Sequence, residues 1–379
     1  MRRVRPRPGL VTTLPAHRVW GVCAAVGYSA AAALAARARH PWGRGSALVA
    51  VGGSVVASLA VLMVLGTAQS EVGVVERSAT LLLNSGSPYV PHPADVADFN
   101  PYLPGMAVFG IPHALLGDTP LADARLWFAV VFLAAMSLSA PRSKAVPLLA
   151  GFPAVALPLA VGGVDLPVIG FVCLGLALAG RRGTGTAAGL AMGAAAALKW
   201  TAWPLLPVGV VLIAVTSGRR AAVRAAGAAL AVTALAVAPA ALVDPRAFTV
   251  HVLLFPLGAG GTSSPATSPL PGYLLAACVP EGRAIAVAAL ATGAVCVAGS
   301  LAVRPPRTVV AAADRLALGL GLAMCLMPAT RFGYLVYPMV LAVWFRRHRS
   351  ARVARPAGPA WGSGSTVAVR RGRSSASAR

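Results

Sequence analysis

The sequence predicts an all-α protein that is a polytopic bundle of about ten or eleven transmembrane helices. Of the 379 residues, 57% are hydrophobic and 11% are charged, whereas an average soluble domain carries about 25% charged residues. Apolar runs near the roughly 20 residues that span a bilayer recur along the whole chain. The loops between these runs alternate between rich and poor in arginine, as expected of a chain that crosses a membrane repeatedly.

The chain divides into a basic N-terminal segment (1–18), a transmembrane domain (19–346) and a basic tail (347–379). The first apolar run follows an Arg-rich start, but no small-x-small cleavage site precedes Arg37, so the run is expected to be a retained helix. The tail lacks apolar periodicity and is expected to be disordered on the cytoplasmic surface. The predicted spans, in order, are 19–36, 47–67, 121–140, 145–162, 166–180, 184–198, 203–217, 221–243, 284–303, 309–327 and 332–345.

The distribution of charge predicts the orientation in the plasma membrane. Basic loops stay in the cytoplasm, and six loops hold most of the arginines between the spans: those around Arg37, Arg142, Arg181, Arg219, Arg304 and Arg346. The loops poor in basic residues are then outside, namely 68–120, 163–165, 199–202, 244–283 and 328–331. All ten acidic residues except Asp314 fall in or beside these outer loops. The same count places the Arg-rich N-terminus outside, which leaves its orientation open.

The net charge of +23 is therefore interpreted as a topology signal plus a tail that anionic lipid attracts, and no nucleic-acid partner is expected. The five cysteines form no C-x-x-C pair and the six histidines show no metal-binding spacing. No metal and no cofactor is expected. The sequence also lacks a G-x-x-x-x-G-K-[ST] phosphate loop, which counts against an ATP-driven pump.

The first outer loop (68–120) is long and acidic, which is typical of a functional loop. Val72, Val75, Ala79 and Leu82 recur at helical spacing, so an amphipathic helix is predicted that ends near Gly86. A second apolar stretch follows it, interrupted by several prolines and glycines. That stretch is too broken to span and is expected to lie in the interface or to pack over a cavity.

Several spaced motifs resemble one family. They are an acidic residue near the end of an early helix, then A-x-x-L-L-x-x-G-x-P-Y (79–89), F-x-P-Y-x-P (99–104), GGVDLP (162–167), the A-L-K-centred run at 193–207 and PATRFGYLVYP (328–338). This pattern resembles the family 87 glycosyltransferases, GT-C type membrane enzymes similar to the polyprenol-phosphate-mannose-dependent α-mannosyltransferases of actinobacteria. The resemblance implies transfer of a hexose, with mannose expected, from a polyprenyl-phosphate sugar to a glycolipid or glycan acceptor on the outer face. It also implies an inverting, metal-independent mechanism.

Such a reaction needs an outward-facing carboxylate as general base. The family has an Asp at about this place, and Glu71 lies roughly one residue from that register, with Glu76 as the alternative. Five helical residues turn through about 140°, so the two carboxylates cannot face the same cleft. The donor phosphate needs positive charge on the same side, and Lys199 and Arg331 are the candidates, each alone among apolar residues at an outer helix end.

Other polar residues have weaker assignments. Asp165 is expected to cap the following helix, and Asp123 and Arg125, at i and i+2, are expected not to face one another. The outer loop 244–283 is a candidate lid. The alternatives to an active enzyme are a multi-pass transporter or lipid flippase and a catalytically inactive membrane homologue. The candidate substrate contacts are Tyr89, Asp98, Tyr102, His251 and Tyr334.

Overall fold

A computed structural model describes residues 14–38, 43–141, 143–256, 262 and 266–353, with no side chains from 347 onward. This part of the chain is helical, and its β-structure is a single parallel bridge between Thr267 and Thr330. The helices are α1 Pro15–Arg37, α2 Arg44–Val64, α3 Ser70–Ser85, α4 Ile111–Leu116, α5 Ala124–Ser139, α6 Val146–Ala150, α7 Pro153–Val161, α8 Asp165–Ala179, α9 Gly185–Leu198, α10 Leu205–Ser217, α11 Arg219–Val243, α12 Pro245–Phe248, α13 Pro271–Cys278, α14 Gly282–Val303, α15 Val309–Leu326 and α16 Val336–Val353.

Six of these helices are long and apolar enough to cross a membrane: α1, α2, α11, α14, α15, and α10 with the turn before it. Shorter apolar helices, among them α5, α8 and α9, lie between them. The prediction of an all-α polytopic bundle is confirmed. The predicted span 145–162 is instead divided into α6 and α7, because Pro153 has no N–H to donate to the preceding turn and so begins a new helix.

The centre of the bundle is α8, in which eleven of fifteen residues are buried. After Asp165 it is apolar on every side, the pattern of a helix enclosed by others. It packs between α5, α9 and α15, and Ile169, Val172 and Leu176 belong to the main core. Asp165, its first residue, is thereby placed at the end of a helix that is enclosed by others.

A row of small residues allows α9 and α11 to approach closely. Gly185, Gly189 and Gly193 on α9 face Ala221, Ala225 and Ala229 on α11. A β-carbon at Gly189 would lie 2.3 Å from the carbonyl oxygen of Ala225, well inside van der Waals contact. Close backbone approach through small residues is a common way for helices to associate in membranes, where apolar side chains gain little over lipid.

Gly189→Ala is therefore expected to force the two helices apart and to lower the free energy of unfolding by about 1–3 kcal/mol. Gly227→Ala, in the same α11, is the matched control, because nothing lies within 4 Å of its β-carbon and alanine is the better helix former. Thermal unfolding in neutral detergent measures both. Equal thermal midpoints for the two variants would show that the close contact between α9 and α11 does not limit the stability of the protein.

Five segments meet at one end of the bundle, which we call the site end: 65–123, 162–164, 199–204, 327–335 and the described residues of 244–281, namely 244–256, 262 and 266–281. Backbone hydrogen bonds tie the first segment to the last residues of α7 and α9, from Gln69 N–H to Val161 O at 3.0 Å and from Leu103 N–H to Leu198 O at 3.1 Å. The other end, which we call the basic end, holds the loops that contain Arg181, Arg219 and Arg304, and the part of α16 that contains Arg346. The loops that are rich in arginine and the loops that are poor in basic residues thus lie at opposite ends of the bundle.

The first long loop at the site end contains the predicted amphipathic helix, α3, which ends at Gly86 with φ 76°. The broken apolar stretch after it forms a 3₁₀ segment, Pro104–Gly110, and then α4. Met106 and Phe109 of this stretch are buried in the main core, and the Phe109 ring contacts Phe128 of α5 edge-on, with centroids 5.2 Å apart. The stretch therefore packs into the bundle, and its Gly110 lies against Val75 and Ala79 of α3.

Three sequence predictions concern residues that are described in part or not at all. Residues 1–13 of the N-terminal segment lie outside the described residues. The last helix, α16, continues to Val353, past the predicted start of the tail at 347, and residues 354–379 lie outside. In the candidate lid, 244–283, residues 257–261 and 263–265 also lie outside.

Candidate active site

An ion pair between Glu71 and Arg331 joins two of the segments at the site end, 65–123 and 327–335. Glu71 lies in the first turn of α3, and Arg331 lies in extended backbone just before the 3₁₀ turn Phe332–Leu335. The guanidinium Nη1 donates to Glu71 Oε1, and the Ser70 hydroxyl donates to Oε2 at 3.1 Å. Both side chains keep part of their surface exposed, 15% for Glu71 and 33% for Arg331. A ligand arriving from solvent can therefore reach the pair.

A second ion pair lies deeper. Lys199 Nζ is 2.6 Å from Asp165 Oδ1, and the hydroxyl of Tyr337 donates to the same oxygen at 2.7 Å. The Lys199 side chain is 8% exposed. Lys199 ends α9, and its extended backbone (φ −156°, ψ 136°) turns the side chain back towards the start of α8. Two helix ends and the start of α16 thus converge on one carboxylate.

The expectation that Asp165 caps α8 is wrong. Asp165 is the first residue of the helix, the residue before it is the N-cap, and no side-chain cap hydrogen bond is formed. A buried ammonium competes successfully for the carboxylate, because a charged partner in a poorly solvated site gains more than a backbone N–H that water can reach. Sequence reasoning missed Asp165 as a site residue, and the signal available for it was its place in the GGVDLP motif.

Two tyrosines connect the ion pairs. Lys199 Nζ lies 4.7 Å from the ring centroid of Tyr334 and 5.6 Å from that of Tyr102, within range of a cation–π attraction. Burial raises the pKa of Tyr102 well above its ordinary value, and the neighbouring carboxylate of Glu71 raises it further. We call this set the charged cluster: Glu71, Tyr102, Asp165, Lys199, Arg331, Tyr334 and Tyr337.

Glu76 points elsewhere. Its Oε1 accepts the backbone N–H of Ala124, the first residue of α5, at 3.1 Å, and lies 4.0 Å from His113 Nδ1. Burial raises the pKa of Glu76 above its ordinary value, and the Ala124 N–H opposes that rise. The structure therefore separates the two glutamates as the 140° rotation requires, and it brings only Glu71 together with both candidate cations.

The family of the chain follows from a comparison with known proteins. A model of glycosyltransferase family 87 matches residues 100–328, more than half of the chain. The chain belongs to glycosyltransferase family 87. No curated protein and no solved structure matches it. The match includes Asp165 and Lys199 of the charged cluster, while Glu71 lies before it and Arg331 follows it.

In this membrane glycosyltransferase, Asp123 and Arg125 do face one another, contrary to expectation. Arg125 Nε lies 2.9 Å from Asp123 Oδ1, and its Nη1 donates to the carbonyl of Thr67 at 2.9 Å. The i, i+2 rule holds only inside a helix, whereas Asp123 is the N-cap of α5, where its backbone has left the helical conformation. The pair fixes the end of α2 to the start of α5, a structural role.

Three of the candidate substrate contacts lie away from the charged cluster. Tyr89 is buried, with its hydroxyl donating to the Tyr102 carbonyl at 2.9 Å and its ring stacked on His251. Asp98 is partly buried and accepts the backbone N–H groups of Ala94 and Asp95. These residues shape the first long loop of the glycosyltransferase, whereas Tyr102 and Tyr334 belong to the charged cluster.

His251 fixes the same loop and is held in its neutral form. Its Nδ1 accepts the Asn100 N–H at 2.9 Å, and its Nε2–H donates to the Val90 carbonyl at 2.8 Å. In the charged form, the proton on Nδ1 would point at the Asn100 N–H, so that two donors would face each other and the hydrogen bond would be lost. Burial lowers the pKa of His251 below its ordinary 6.5, against the opposing effects of Val90, Asp244 and Asp98 and with a small lowering by Arg77.

The stability that His251 contributes is therefore fully present above pH 6.5 and is lost as the pH falls below that value, because the unfolded chain then binds a proton that the folded chain excludes. We expect the thermal midpoint of the wild type to fall with acidification and that of His251→Phe to vary less. His92→Gln removes an exposed histidine instead and should keep the wild-type slope. An unchanged slope in His251→Phe would contradict this assignment.

Proposed function

We propose that this glycosyltransferase moves a hexose, with mannose expected, from a polyprenyl-phosphate sugar to a hydroxyl of a glycolipid or glycan acceptor. The reaction is proposed to take place on the outer face of the plasma membrane, with inversion and without a metal. The observation that carries the proposal is the charged cluster, in which Glu71 lies beside two cations, Lys199 and Arg331, at the site end of the bundle.

Each charge matches one requirement of the transfer. As the acceptor oxygen attacks the anomeric carbon, Glu71 takes the proton of the hydroxyl, which raises the nucleophilicity of that oxygen. The bond between the anomeric carbon and the phosphate oxygen breaks, and the electron pair leaves with polyprenyl phosphate. Arg331 and Lys199 stabilise the charge that develops on this phosphate. Attack opposite the leaving group inverts the anomeric centre.

The resting ion pairs suggest an order of events. Arg331 is neutralised by Glu71, and a donor phosphate would compete for the same guanidinium with a bidentate geometry that guanidinium favours. Donor binding would therefore release Glu71 to act as a base. Asp165 and Tyr337 hold Lys199 in place beneath the ring of Tyr334, so we assign them as positioning residues.

Glu71 is proposed as the base in preference to Glu76. One oxygen of Glu76 is already taken by the backbone N–H of Ala124, and its neighbour is His113 instead of a cationic pair. An acid that accepts the N–H at the start of a helix is a common structural anchor. Glu76 thus has an assignment that needs no substrate.

The donor class is tested with the purified full-length protein in lipid nanodiscs, offered radiolabelled polyprenyl-phosphate mannose or GDP-mannose with an extracted glycolipid acceptor. Transfer from the polyprenyl donor alone, with the anomeric configuration inverted and activity retained in a chelator, is expected. Transfer from the nucleotide sugar alone would overturn the donor assignment, and retention of configuration would overturn the mechanism. Polyprenyl-phosphate glucose run in parallel decides between the two hexoses.

The orientation is proposed from charge. The described loops of the basic end hold most of the arginines between the helices, so that end is assigned to the cytoplasm with the C-terminal tail. The charged cluster would then face outward, where polyprenyl-linked sugars and envelope glycans meet. Asp314 is the exception among the acids, and it is paired with Arg346 at 3.0 Å on the basic end.

A further inference from the structure

A polar cavity opens at the basic end, at the opposite end of α9 from Lys199 and about 21 Å away along that helix. Its volume is about 360 Å³, within the range of roughly 300–1,000 Å³ typical of small-ligand sites. It lies between the turn before α9, the end of α10 and the start of α11. The lining residues are Arg182, Gly183, Gly185, Thr186, Thr216, Ser217, Ala221 and Arg224.

The cavity is positively charged without a compensating acid. Arg182 and Arg224 contribute two guanidinium groups, and no acidic residue lines the cavity. Among the described residues, neither guanidinium has an ion-pair or hydrogen-bond partner, in contrast to Arg125 and Arg331, which are both paired with carboxylates. Two cations that share one cavity repel each other, so an anion between them would be stabilised by both.

Besides the two arginines, a buried hydroxyl and an uncapped helix start border the cavity, whereas the Thr216 hydroxyl is bonded to the carbonyls of Ala179 and Leu212. The hydroxyl oxygen of Ser217 is buried and has no hydrogen-bond partner among the described residues. The N-cap of α9, Thr184, turns its hydroxyl back to the carbonyls of Leu178 and Arg181 and leaves the first-turn N–H groups of α9 without a side-chain cap. The N-cap of α11 is Gly218, which has no side chain to offer.

We propose that this cavity binds a phosphate group, held by Arg182 and Arg224 and by the uncapped N–H groups at the start of α9. Uncapped helix N-termini and paired arginines are the two groups that proteins most often direct at phosphate. The ligand is either the headgroup of an anionic phospholipid or free phosphate. The proposed cytoplasmic position of the basic end favours the headgroup, because anionic lipids are concentrated in that leaflet.

The site is independent of the proposed transfer reaction, since none of its residues belongs to the charged cluster. Its test uses the full-length protein in phosphatidylcholine nanodiscs, with and without phosphatidylglycerol, and a separate titration with inorganic phosphate in neutral detergent. The thermal midpoint is the readout. Binding to the folded state raises the midpoint in a saturable way.

Four proteins are compared: wild type, Arg182→Ala/Arg224→Ala, Arg182→Lys/Arg224→Lys, and Arg304→Ala/Arg307→Ala. The last is the matched control, because it removes two arginines from the same end outside the cavity. We expect the alanine variant of the cavity to bind about tenfold more weakly, or worse, for each arginine lost. The lysine variant keeps the charge but loses bidentate contact and should lie between.

A shift with phosphatidylglycerol but not with inorganic phosphate identifies a lipid headgroup, and a saturable shift with inorganic phosphate identifies free phosphate. Either result supports the site if the control variant keeps the shift. The proposal is overturned if neither probe raises the midpoint, or if the control loses as much as the cavity variant, which would indicate general surface charge. If the alanine variant does not fold, native mass spectrometry measures the phosphatidylglycerol that the wild type, the lysine variant and the control variant retain. Equal retention by all three would overturn the proposal, and a loss in the lysine variant alone would support it.

Discussion

Glu71→Gln is expected to lower the turnover of glycosyl transfer by about 10²- to 10⁴-fold, the usual contribution of a positioned general base. Glutamine keeps an oxygen that accepts from the Arg331 guanidinium but takes no proton from an attacking hydroxyl. The ion pair that it replaces is partly exposed, so its loss should cost only about 1 kcal/mol of stability or less. Single-turnover transfer from the polyprenyl donor measures the chemical step directly.

Glu76→Gln is the matched control. Its amide oxygen still accepts the Ala124 N–H, so both folding and turnover should stay near the wild-type values. Lost turnover in Glu76→Gln with full turnover in Glu71→Gln would reverse the assignment of the base. Full activity in both variants would remove the general-base mechanism from this helix altogether.

Lys199→Met is expected to lower the free energy of unfolding by about 3–5 kcal/mol, because it leaves the Asp165 carboxylate poorly solvated and without its cation. The variant should also bind the donor more weakly, since one of the two cations proposed for its phosphate is gone. Unfolding in a denaturing detergent series gives the stability. The KM for the polyprenyl donor gives the second effect.

The double variant Asp165→Asn/Lys199→Met separates these two effects. Asparagine is neutral and still accepts from the Tyr337 hydroxyl, so most of the lost stability should return. The raised KM should remain. A double variant as unstable as Lys199→Met would show that the unpaired charge is not the cause, and a wild-type KM would show that Lys199 does not contact the phosphate.

Most of the fold was accessible from the sequence, because apolar length and the positions of Gly and Pro act locally. The amphipathic helix that ends near Gly86 was predicted from the spacing of its apolar residues, and the structure confirms it, with Gly86 in the left-handed conformation. The prediction of one span at 145–162 was wrong. Mean hydropathy over a window is insensitive to a single proline, whereas Pro153 lacks the N–H that a continuous helix needs at that position. Local rules thus located the elements and misjudged where one of them is interrupted.

The site was less accessible, because it depends on pairs that are distant in the chain. Lys199 and Arg331 were identifiable as isolated cations at helix ends, but their counterions were not. Asp165 carries the features of a helix cap, and only the approach of Lys199, 34 residues later, changes its role. Only the fold shows that His251, a candidate substrate contact in the sequence, hydrogen-bonds to Asn100 and Val90.

The ion pair between Glu71 and Arg331 spans 260 residues of chain, which has a consequence for biosynthesis. Helices inserted one after another would leave Glu71 without its counterion until nearly the entire bundle had been made. Closure of this pair is thus among the last events of assembly, and a chain truncated before residue 331 would present a membrane-inserted but unfinished site.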